Sequence, residues 1–257
     1  MLRVLLKSPL TYHRTMQGQI KREPTSAMQF GTASHSAILE NRFDGFYVRP
    51  ETQSDGRKWR ANAAECEAWI ESHADRPVLT NSELVQLQAA ARYVHEHPQA
   101  SKLMQGATAE VSVFSEVGKA RCDLLRVEPL VATVIDLKTC MDASTPAFSR
   151  EILNRGYHIQ AAWYRRVLMG LGIGTVHFYF IALQKGQLPL VNVLKLSEQS
   201  MRAGDAQVEA ALILKRQCET NFQWPEWGDY DGTNEIKSVD VPAYALPEEE
   251  LTGAEEI

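Results

Sequence analysis

The stretch Val131-Ala-Thr-Val-Ile-Asp136-Leu-Lys138-Thr139 decides how the rest of the chain is interpreted, because an apolar strand pattern here carries an acid and a lysine. Side chains two positions apart on a strand point to the same face, so Asp136 and Lys138 project together. A carboxylate among Val, Ile and Leu neighbours is costly unless a positive charge compensates it. The stretch therefore predicts a strand that presents a charged pair.

A second acid, Asp123, stands 13 residues earlier in the strand-like segment Ala120-Arg-Cys-Asp123-Leu-Leu. A divalent cation between Asp123 and Asp136 would supply the missing positive charge, and Lys138 beside it could orient a water or contact a phosphate oxygen. The alternative is that Asp136 and Lys138 pair with each other or with solvent at a strand end. Spacing alone does not separate the two, so the interpretation depends on residues elsewhere in the chain.

Length and composition restrict the class of protein. The 257 residues exceed a typical domain of about 100–150 residues but fit one large domain with a helical elaboration. Hydrophobic residues make up 44% of the chain and charged residues 23%, and no stretch reaches the ~18 consecutive apolar residues of a membrane span. The N-terminus lacks a signal-peptide pattern, so we expect a cytoplasmic protein with no membrane partner.

The net charge of −5 is unevenly distributed. From residue 226 onwards the chain has ten acids and one lysine, which leaves 26 Lys and Arg against 22 Asp and Glu in residues 1–225. That mild basic excess permits contact with nucleic-acid phosphates. We predict a single domain over residues 1–225, with a helical elaboration at 58–100, and an acidic irregular tail over 226–257.

Hydrophobic periodicity predicts the order of the elements. Helices are predicted in the first 20 residues, broken at Ser8-Pro9, then from Ser26, over Arg60–His73, Ser82–His97, Pro146–Met169 and Glu198–Cys218. Strands are predicted over Glu110–Val117, Arg121–Val127, Val131–Lys138, Thr175–Leu183 and Leu190–Leu196. The first three strands form a meander, and a helix separates them from the last two.

Four other residues fit the surroundings of a metal site. Glu110 begins the first strand of the meander, where it could be either an additional metal ligand or an acid that contacts solvent. Gln160 and Tyr164 stand four apart in a helix and so share one face, from which both could reach a phosphate or a water. A neutral imidazole is a good ligand for a divalent ion, which makes His35 a candidate, although a lone helical histidine is more often structural.

Taken in order, these motifs resemble the RecB-like branch of the PD-(D/E)XK nuclease superfamily, and most closely its exodeoxyribonuclease VIII (RecE-type) phage recombination enzymes. Ser8-Pro-Leu-Thr-Tyr12 resembles their Ser-Pro-x-x-Tyr, and Phe30-Gly-Thr-Ala-Ser-His35 resembles their Gly-Thr-x-x-His. Arg155-Gly-Tyr-His-Ile-Gln160-Ala-Ala-Trp-Tyr164 resembles their Tyr-x-x-Gln-x-x-x-Tyr helix. The resemblance spans residues 6 to about 230. It departs at Arg121-Cys-Asp123, where relatives usually have Gly or Pro near the acid.

The resemblance implies an α/β (α+β) fold with a restriction-endonuclease-like core, in which a central mixed β-sheet is flanked by helices and preceded by extra N-terminal helices. It implies 5′ to 3′ degradation of linear double-stranded DNA, which leaves 3′ single-stranded tails for recombination by strand annealing. One or two Mg²⁺ ions per site, replaceable by Mn²⁺, would be the cofactor. Implied partners are double-stranded DNA ends, a RecT-type single-strand annealing protein and further copies of the chain, in a bacterial host carrying a phage or prophage.

The resemblance also implies roles for individual residues. The metal ligands would be His35, Asp123, Asp136 and the main-chain carbonyl of Leu137, with Glu110 as a further candidate. The catalytic residues would be Asp123, Asp136, Lys138, Gln160 and Tyr164. Lys138 would position or help deprotonate the attacking water, while Gln160 and Tyr164 fix the water and the phosphate. Replacing Asp136 or Lys138 by alanine is expected to abolish cleavage and to leave the fold intact.

Two alternatives stay open. One is a structure-specific or single-strand DNA nuclease of the Cas4 or AddB kind, which carries an iron–sulfur cluster on four cysteines. The four cysteines here are widely spaced and include no C-x-x-C pair, which argues against such a framework. They are Cys66, Cys122, Cys140 and Cys218. The other alternative is a catalytically inactive nuclease fold that binds DNA, although the chain keeps every acid and lysine of the motifs.

Overall fold

The computed structural model describes residues 1–21, 23–186, 188–227 and 238, and in these ranges most of the chain folds into helices and strands. The helices are α1 (Leu2–Lys7), α2 (Pro9–Met16), α3 (Ser26–Leu39), α4 (Ala64–Ser72), α5 (Asn81–Glu96), α6 (Pro98–Met104), α7 (Thr145–Arg155), α8 (Tyr157–Met169) and α9 (Glu198–Asn221). The strands are β1 (Tyr47–Val48), β2 (Val78–Leu79), β3 (Thr108–Ser115), β4 (Gly118–Glu128), β5 (Val131–Cys140), β6 (Thr175–Gln184) and β7 (Leu190–Lys195).

A five-stranded mixed sheet forms the centre of the fold, with the strand order β3-β4-β5-β6-β7. The meander β3-β4-β5 is antiparallel, β5 and β6 are parallel, and β7 is antiparallel to β6. A parallel pair cannot be joined by a tight turn, and here α7 and α8 supply the crossover between β5 and β6. The predicted fold class, a central mixed sheet flanked by helices, is confirmed.

Both faces of β5 are buried, which explains its nearly continuous apolar sequence. Ala132 and Val134 belong to the core that the sheet forms with α7, α8 and α9. Ile135 and Leu137 belong to the core on the opposite face, which includes residues of α3, α5 and α6. Because each fully buried aliphatic side chain contributes roughly 1.5–3 kcal/mol, these two layers hold β5 firmly between the helices.

The predicted helix over Pro146–Met169 is wrong in one respect, because it is two helices. Gly156 has a φ of 70°, ends α7 and also precedes the first residue of α8. A left-handed backbone is easily adopted by glycine and stops a right-handed helix, so the direction of the chain changes here. A glycine inside a helical pattern was the available signal. The break makes Tyr157 the first residue of α8.

Replacing Gly156 by alanine is expected to lower the free energy of unfolding by about 2–3 kcal/mol. A left-handed alanine costs about 1–2 kcal/mol. In addition, its Cβ would lie 2.8 Å from Cδ of Arg3 and 3.3 Å from Cδ1 of Ile159. Urea denaturation would measure the loss. Gly172→Ala is the matched control, because Gly172 has a φ of 85° and nothing within 4 Å of the added Cβ. Equal losses of unfolding free energy in the two variants would show that the close contacts with Arg3 and Ile159 do not contribute.

Smaller differences from the sequence analysis concern short elements. The parallel pair β1 and β2 has two residues in each strand, too few for a hydrophobic pattern. Pro98 ends α5 as predicted, but it also occupies the first turn of α6, a position that proline favours.

Of the predicted acidic tail, only residues 226, 227 and 238 lie within the described part, so the domain boundary at residue 225 stays a prediction. Among the described helices, none has the length and apolar character needed to cross a membrane.

Candidate metal centre

The centre lies where β4 and β5 separate. Their pairing ends at Leu124 and Ile135, whereas β5 continues along β6 as far as Cys140. Beyond Ile135 the freed edge of β5 is therefore met by side chains. The Leu137 N–H donates to Oδ2 of Asp123 at 2.9 Å, and the Leu137 carbonyl lies 3.0 Å from Nε2 of His35. Side chains thus replace strand pairing, and a space opens between the two strands.

Three acids occupy matching positions across the meander. Glu110 lies opposite Asp123 in the register of β3 with β4, and Asp123 lies one step beyond the last pair of β4 with β5, opposite Asp136. Glu110 also has a φ of 55°, which is unusual for a residue inside a strand. Strained backbone of this kind is often found at functional sites. The register therefore places one carboxylate on each of three consecutive strands at the same level of the sheet.

The first group of side chains at this point contains His35, Glu110 and Asp123. Nδ1 of His35 lies 3.7 Å from Oε1 of Glu110 and 3.6 Å from Oδ1 of Asp123. One potential ligand atom from each residue lies within 4.8 Å of the others. Because Nε2 of His35 faces the Leu137 carbonyl, the tautomer with its proton on Nε2 leaves the Nδ1 lone pair directed at both acids.

The second group surrounds Asp136, whose side chain is completely buried. Oδ2 of Asp136 forms a close ion pair with the Lys138 ammonium. Gln160 donates from Nε2 to Oδ1 of Asp136 at 2.9 Å and lies 3.2 Å from the Tyr164 hydroxyl. On its other side, Lys138 lies 5.0 Å from the ring centroid of Tyr157. One face of α8 therefore holds the Asp136–Lys138 pair in place.

The pKa values of the first group are shifted by burial and by neighbouring charges. Burial, and after it the charge of Asp136, raises the pKa of Asp123 to about 7. Burial also acts to lower the pKa of His35, but the interaction with Glu110 and the charge of Asp123 outweigh it, so that pKa is raised. The same interaction with His35 lowers the pKa of Glu110. A cation among these groups would relieve the repulsion that raises the pKa of Asp123.

In the second group, the charges favour a protonated lysine. Burial opposes the charge of Lys138, but the carboxylates of Asp136 and Asp123 outweigh this effect and raise its pKa. Burial raises the pKa of Tyr164 to about 12. At neutral pH, Lys138 is therefore a positively charged hydrogen-bond donor, and Tyr164 is a neutral hydroxyl.

A cleft of about 1050 Å³ opens over the centre, and His35, Glu110, Asp123, Lys138 and Tyr164 are among the residues that line it. A cavity of similar volume, about 1080 Å³, lies between α8, β6 and α9. The arginines of that cavity are already ion-paired with acids of α9: Arg165 with Glu198 and Asp205, and Arg166 with Glu209. The cleft over the centre contains the cluster of potential metal ligands, and we place the chemistry there.

The structure brings the residues proposed from the sequence together at one cleft and its floor. They are His35, Glu110, Asp123, Asp136, Leu137, Lys138, Gln160 and Tyr164. Their roles stay predictions. Two neighbours were missed: Tyr157 under Lys138, and Arg121, whose Nη2 lies 2.6 Å from Oε2 of Glu110. Arg121 stands two residues before Asp123 on β4, a spacing that could have indicated it.

Comparison with known families agrees with this geometry. The sequence profile of a family described as "PDDEXK-like domain of unknown function (DUF3799)" matches residues 1–231. The chain belongs to this PDDEXK-like family. The predicted membership of the PD-(D/E)XK superfamily is thereby confirmed, while the likeness to RecE-type enzymes stays a prediction. No curated protein matches the chain.

A solved structure has the fold of this PDDEXK-like chain. It comes from Eubacterium rectale and is described as a "putative exonuclease". The TM-score is 0.56 with 14% sequence identity, and the match covers 96% of this chain and 86% of the other. At that identity the likeness shows a shared PDDEXK-like fold and nothing finer.

Proposed function

We propose that this chain is a Mg²⁺-dependent exodeoxyribonuclease that degrades linear double-stranded DNA. The observation that carries the proposal is the convergence of His35, Glu110 and Asp123, with Lys138 beside them, in an open cleft. Membership of a PDDEXK-like family supports a nuclease. The description of the similar Eubacterium rectale protein as a "putative exonuclease" supports, by analogy of fold, attack from an end.

The donors of the first group fit a divalent cation. The carboxylates of Glu110 and Asp123 are hard oxygen ligands that suit Mg²⁺ or Mn²⁺, and Nδ1 of His35 adds one softer nitrogen ligand. The carbonyl of Leu137 faces Nε2 of His35 in this structure, so its predicted place as a ligand remains a proposal. Asp136 engages Lys138 and Gln160 in this structure, so its predicted place as a ligand remains a proposal. A second ion could share Asp136, as the resemblance implies.

The side chains of the cleft support hydrolysis of a phosphodiester bond. When bound, the cation would polarise a phosphate oxygen and lower the pKa of a water. Lys138 can donate to a water or to a phosphate oxygen and so stabilise charge that develops there. Because its pKa is raised, we assign Lys138 the first of its two expected roles, which is to position the attacking water as a cation, and not the role of a base. Gln160 and Tyr164 keep Asp136 oriented, and through it Lys138.

The biological setting rests on the RecE resemblance. We propose that digestion runs 5′ to 3′ and leaves 3′ tails for recombination by strand annealing. A RecT-type single-strand annealing protein would be the partner, and a homo-oligomer would keep the enzyme on its DNA. The proposed location is the cytoplasm of a bacterium that carries the phage or prophage.

The decisive assay compares end-labelled linear duplex, circular duplex and single-stranded DNA, each with Mg²⁺ or with EDTA. We expect Mg²⁺-dependent loss of linear duplex with the circle intact, and no loss in EDTA. His35→Ala, which removes a ligand atom of the first group, should behave like the EDTA sample. Cleavage of the circle, or of single strands alone, would replace the proposal with the structure-specific alternative.

The positions of the cysteines bear on that alternative. All four thiols are buried, and they lie on α4, β4, β5 and α9. Cys122 and Cys140 pack in the apolar core on the α8 face of the sheet. Burial raises the pKa of Cys122 to about 12, which opposes the thiolate form that an iron–sulfur cluster needs. These surroundings favour the exonuclease over an iron–sulfur nuclease.

A further inference from the structure

Glu110 divides its two carboxylate oxygens between two positive groups. Oε1 faces Nδ1 of His35 at 3.7 Å, inside the first group of the metal centre. Oε2 is held by Nη2 of Arg121 at 2.6 Å. The side chain of Glu110 is 19% exposed and that of Arg121 is 68% exposed. Glu110 therefore joins the metal centre to a solvent-exposed cation at the cleft.

Arg121 differs from most of the other cations that line the cleft. Arg42 pairs with Glu40 and Asp44, and Arg155 pairs with Glu151, none of which belongs to the metal centre. Lys185 has the ring of Phe30 as its partner. Within the described residues, Arg121 and Lys138 are the cleft cations paired with acids of the centre, and Lys138 is only 18% exposed. Of these two cations, Arg121 is therefore the one that is accessible to solvent.

We propose that Arg121 exchanges Glu110 for a phosphate of the DNA substrate, and that this exchange frees Glu110 for the metal ion. The proposal rests on the nuclease function proposed above. An ion pair with so exposed an arginine contributes little to stability, so little free energy is needed to break it. A phosphate offers the bidentate acceptor geometry that a guanidinium matches well. The exchange would strengthen binding of the cation at the centre when substrate is present.

The exchange couples two binding events. Metal and Arg121 compete for Glu110, so substrate that removes Arg121 strengthens the binding of the metal. By linkage, the metal strengthens the binding of DNA by the same factor. Coupling between two sites typically changes affinity by about 5–150-fold. Because the Arg121–Glu110 ion pair is exposed, we expect the change in affinity here to lie near the lower limit of that range.

The first arm of the test measures Mn²⁺ binding by calorimetry without DNA. We expect Arg121→Gln to bind Mn²⁺ about fivefold more tightly than the wild type, because Glu110 is free. Arg42→Gln is the matched control. It removes another arginine from the cleft, but one that pairs with Glu40 and Asp44, so its Mn²⁺ affinity should equal that of the wild type. Equal affinities of the Arg121 and Arg42 variants would overturn the proposal.

The second arm measures binding of duplex DNA in EDTA by fluorescence anisotropy, where no cleavage occurs. Glu110→Gln should tighten DNA binding, and that gain should disappear when Arg121→Gln is also present. If Glu110→Gln tightens DNA binding equally with Arg121 present and with Arg121→Gln, the gain comes only from removing the repulsion between the Glu110 carboxylate and DNA. That result would overturn the proposed exchange. His35→Ala separates this inference from the proposed function. If the wild type binds Mn²⁺ no better than His35→Ala, the metal centre itself is rejected, and the DNA arm alone then decides the role of Arg121.

Discussion

Replacing Lys138 by methionine is expected to lower the turnover of linear duplex by about 10²–10³-fold, because the variant loses the positive charge beside the reacting phosphate. The structure adds an effect on stability that spacing alone did not indicate. Asp136 is completely buried and pairs with Lys138, so removing the lysine leaves a buried carboxylate with Gln160 as its remaining partner. Breaking a buried pair in this way costs about 3–5 kcal/mol.

Two further variants separate chemistry from folding. The double variant Asp136→Asn and Lys138→Met removes both charges and keeps an oxygen for Gln160, so thermal stability should largely return while cleavage does not. Lys185→Met removes another lysine of the same cleft, and it should lose less than about tenfold in turnover. Recovery of cleavage in the double variant, or an equal loss in Lys185→Met, would contradict the assigned role of Lys138.

Replacing Asp123 by asparagine is expected to abolish metal-induced stabilisation and, at the same time, to stabilise the metal-free protein at pH 8. The pKa of Asp123 is raised from 3.8 to about 7 by burial and by Asp136. The metal-free folded state therefore binds a proton more tightly than the unfolded state. This contribution to stability is complete below pH 3.8 and is lost as the pH rises through about 7. At pH 8 the charged carboxylate thus destabilises the metal-free protein, on the order of a few kcal/mol.

Thermal unfolding in EDTA and in Mn²⁺ measures both effects of Asp123→Asn. In EDTA the variant should unfold at a higher temperature than the wild type at pH 8, and the difference should shrink towards pH 5. With Mn²⁺ the wild type should gain about 2.7 kcal/mol at a hundredfold excess over Kd, and the variant should gain almost nothing. Asp142→Asn, which changes an acid in the loop after β5, is the control. A Mn²⁺ response in Asp123→Asn equal to that of the wild type would exclude Asp123 as a ligand.

The centre of the fold could be predicted because its signals are local. The alternation along β5 and the spacing of Asp136 and Lys138 fix which side chains share a face, and the structure has that arrangement. The helical spacing of Gln160 and Tyr164 likewise predicts that they share one face, and Gln160 donates a hydrogen bond to the Tyr164 hydroxyl. What spacing does not determine is which groups meet across the sheet. The pairing of Lys138 with Asp136 was one of the two alternatives that the spacing left open, and the structure shows it; the burial of the pair follows from three-dimensional packing.

The first group of the metal centre was harder to predict for a related reason. The approach of Glu110 to His35 depends on a left-handed backbone at a residue that seldom adopts it, so no local preference points to this conformation. The separation of the part of β4 before Leu124 from the part of β5 after Ile135 also leaves no mark in the hydrophobic pattern. Such conflicts between local preference and final structure are expected where a site performs chemistry.

Because β4 and β5 separate, the proposed ligands also have a structural role. An inner strand whose edge is left without a neighbour is a potential site of wrong pairing with another chain. Here the carboxylate of Asp123 and the imidazole of His35 cap the main chain of Leu137. Loss of either side chain would uncover backbone groups as well as remove a metal contact. We therefore expect a substitution at either position to promote self-association as well as to weaken metal binding.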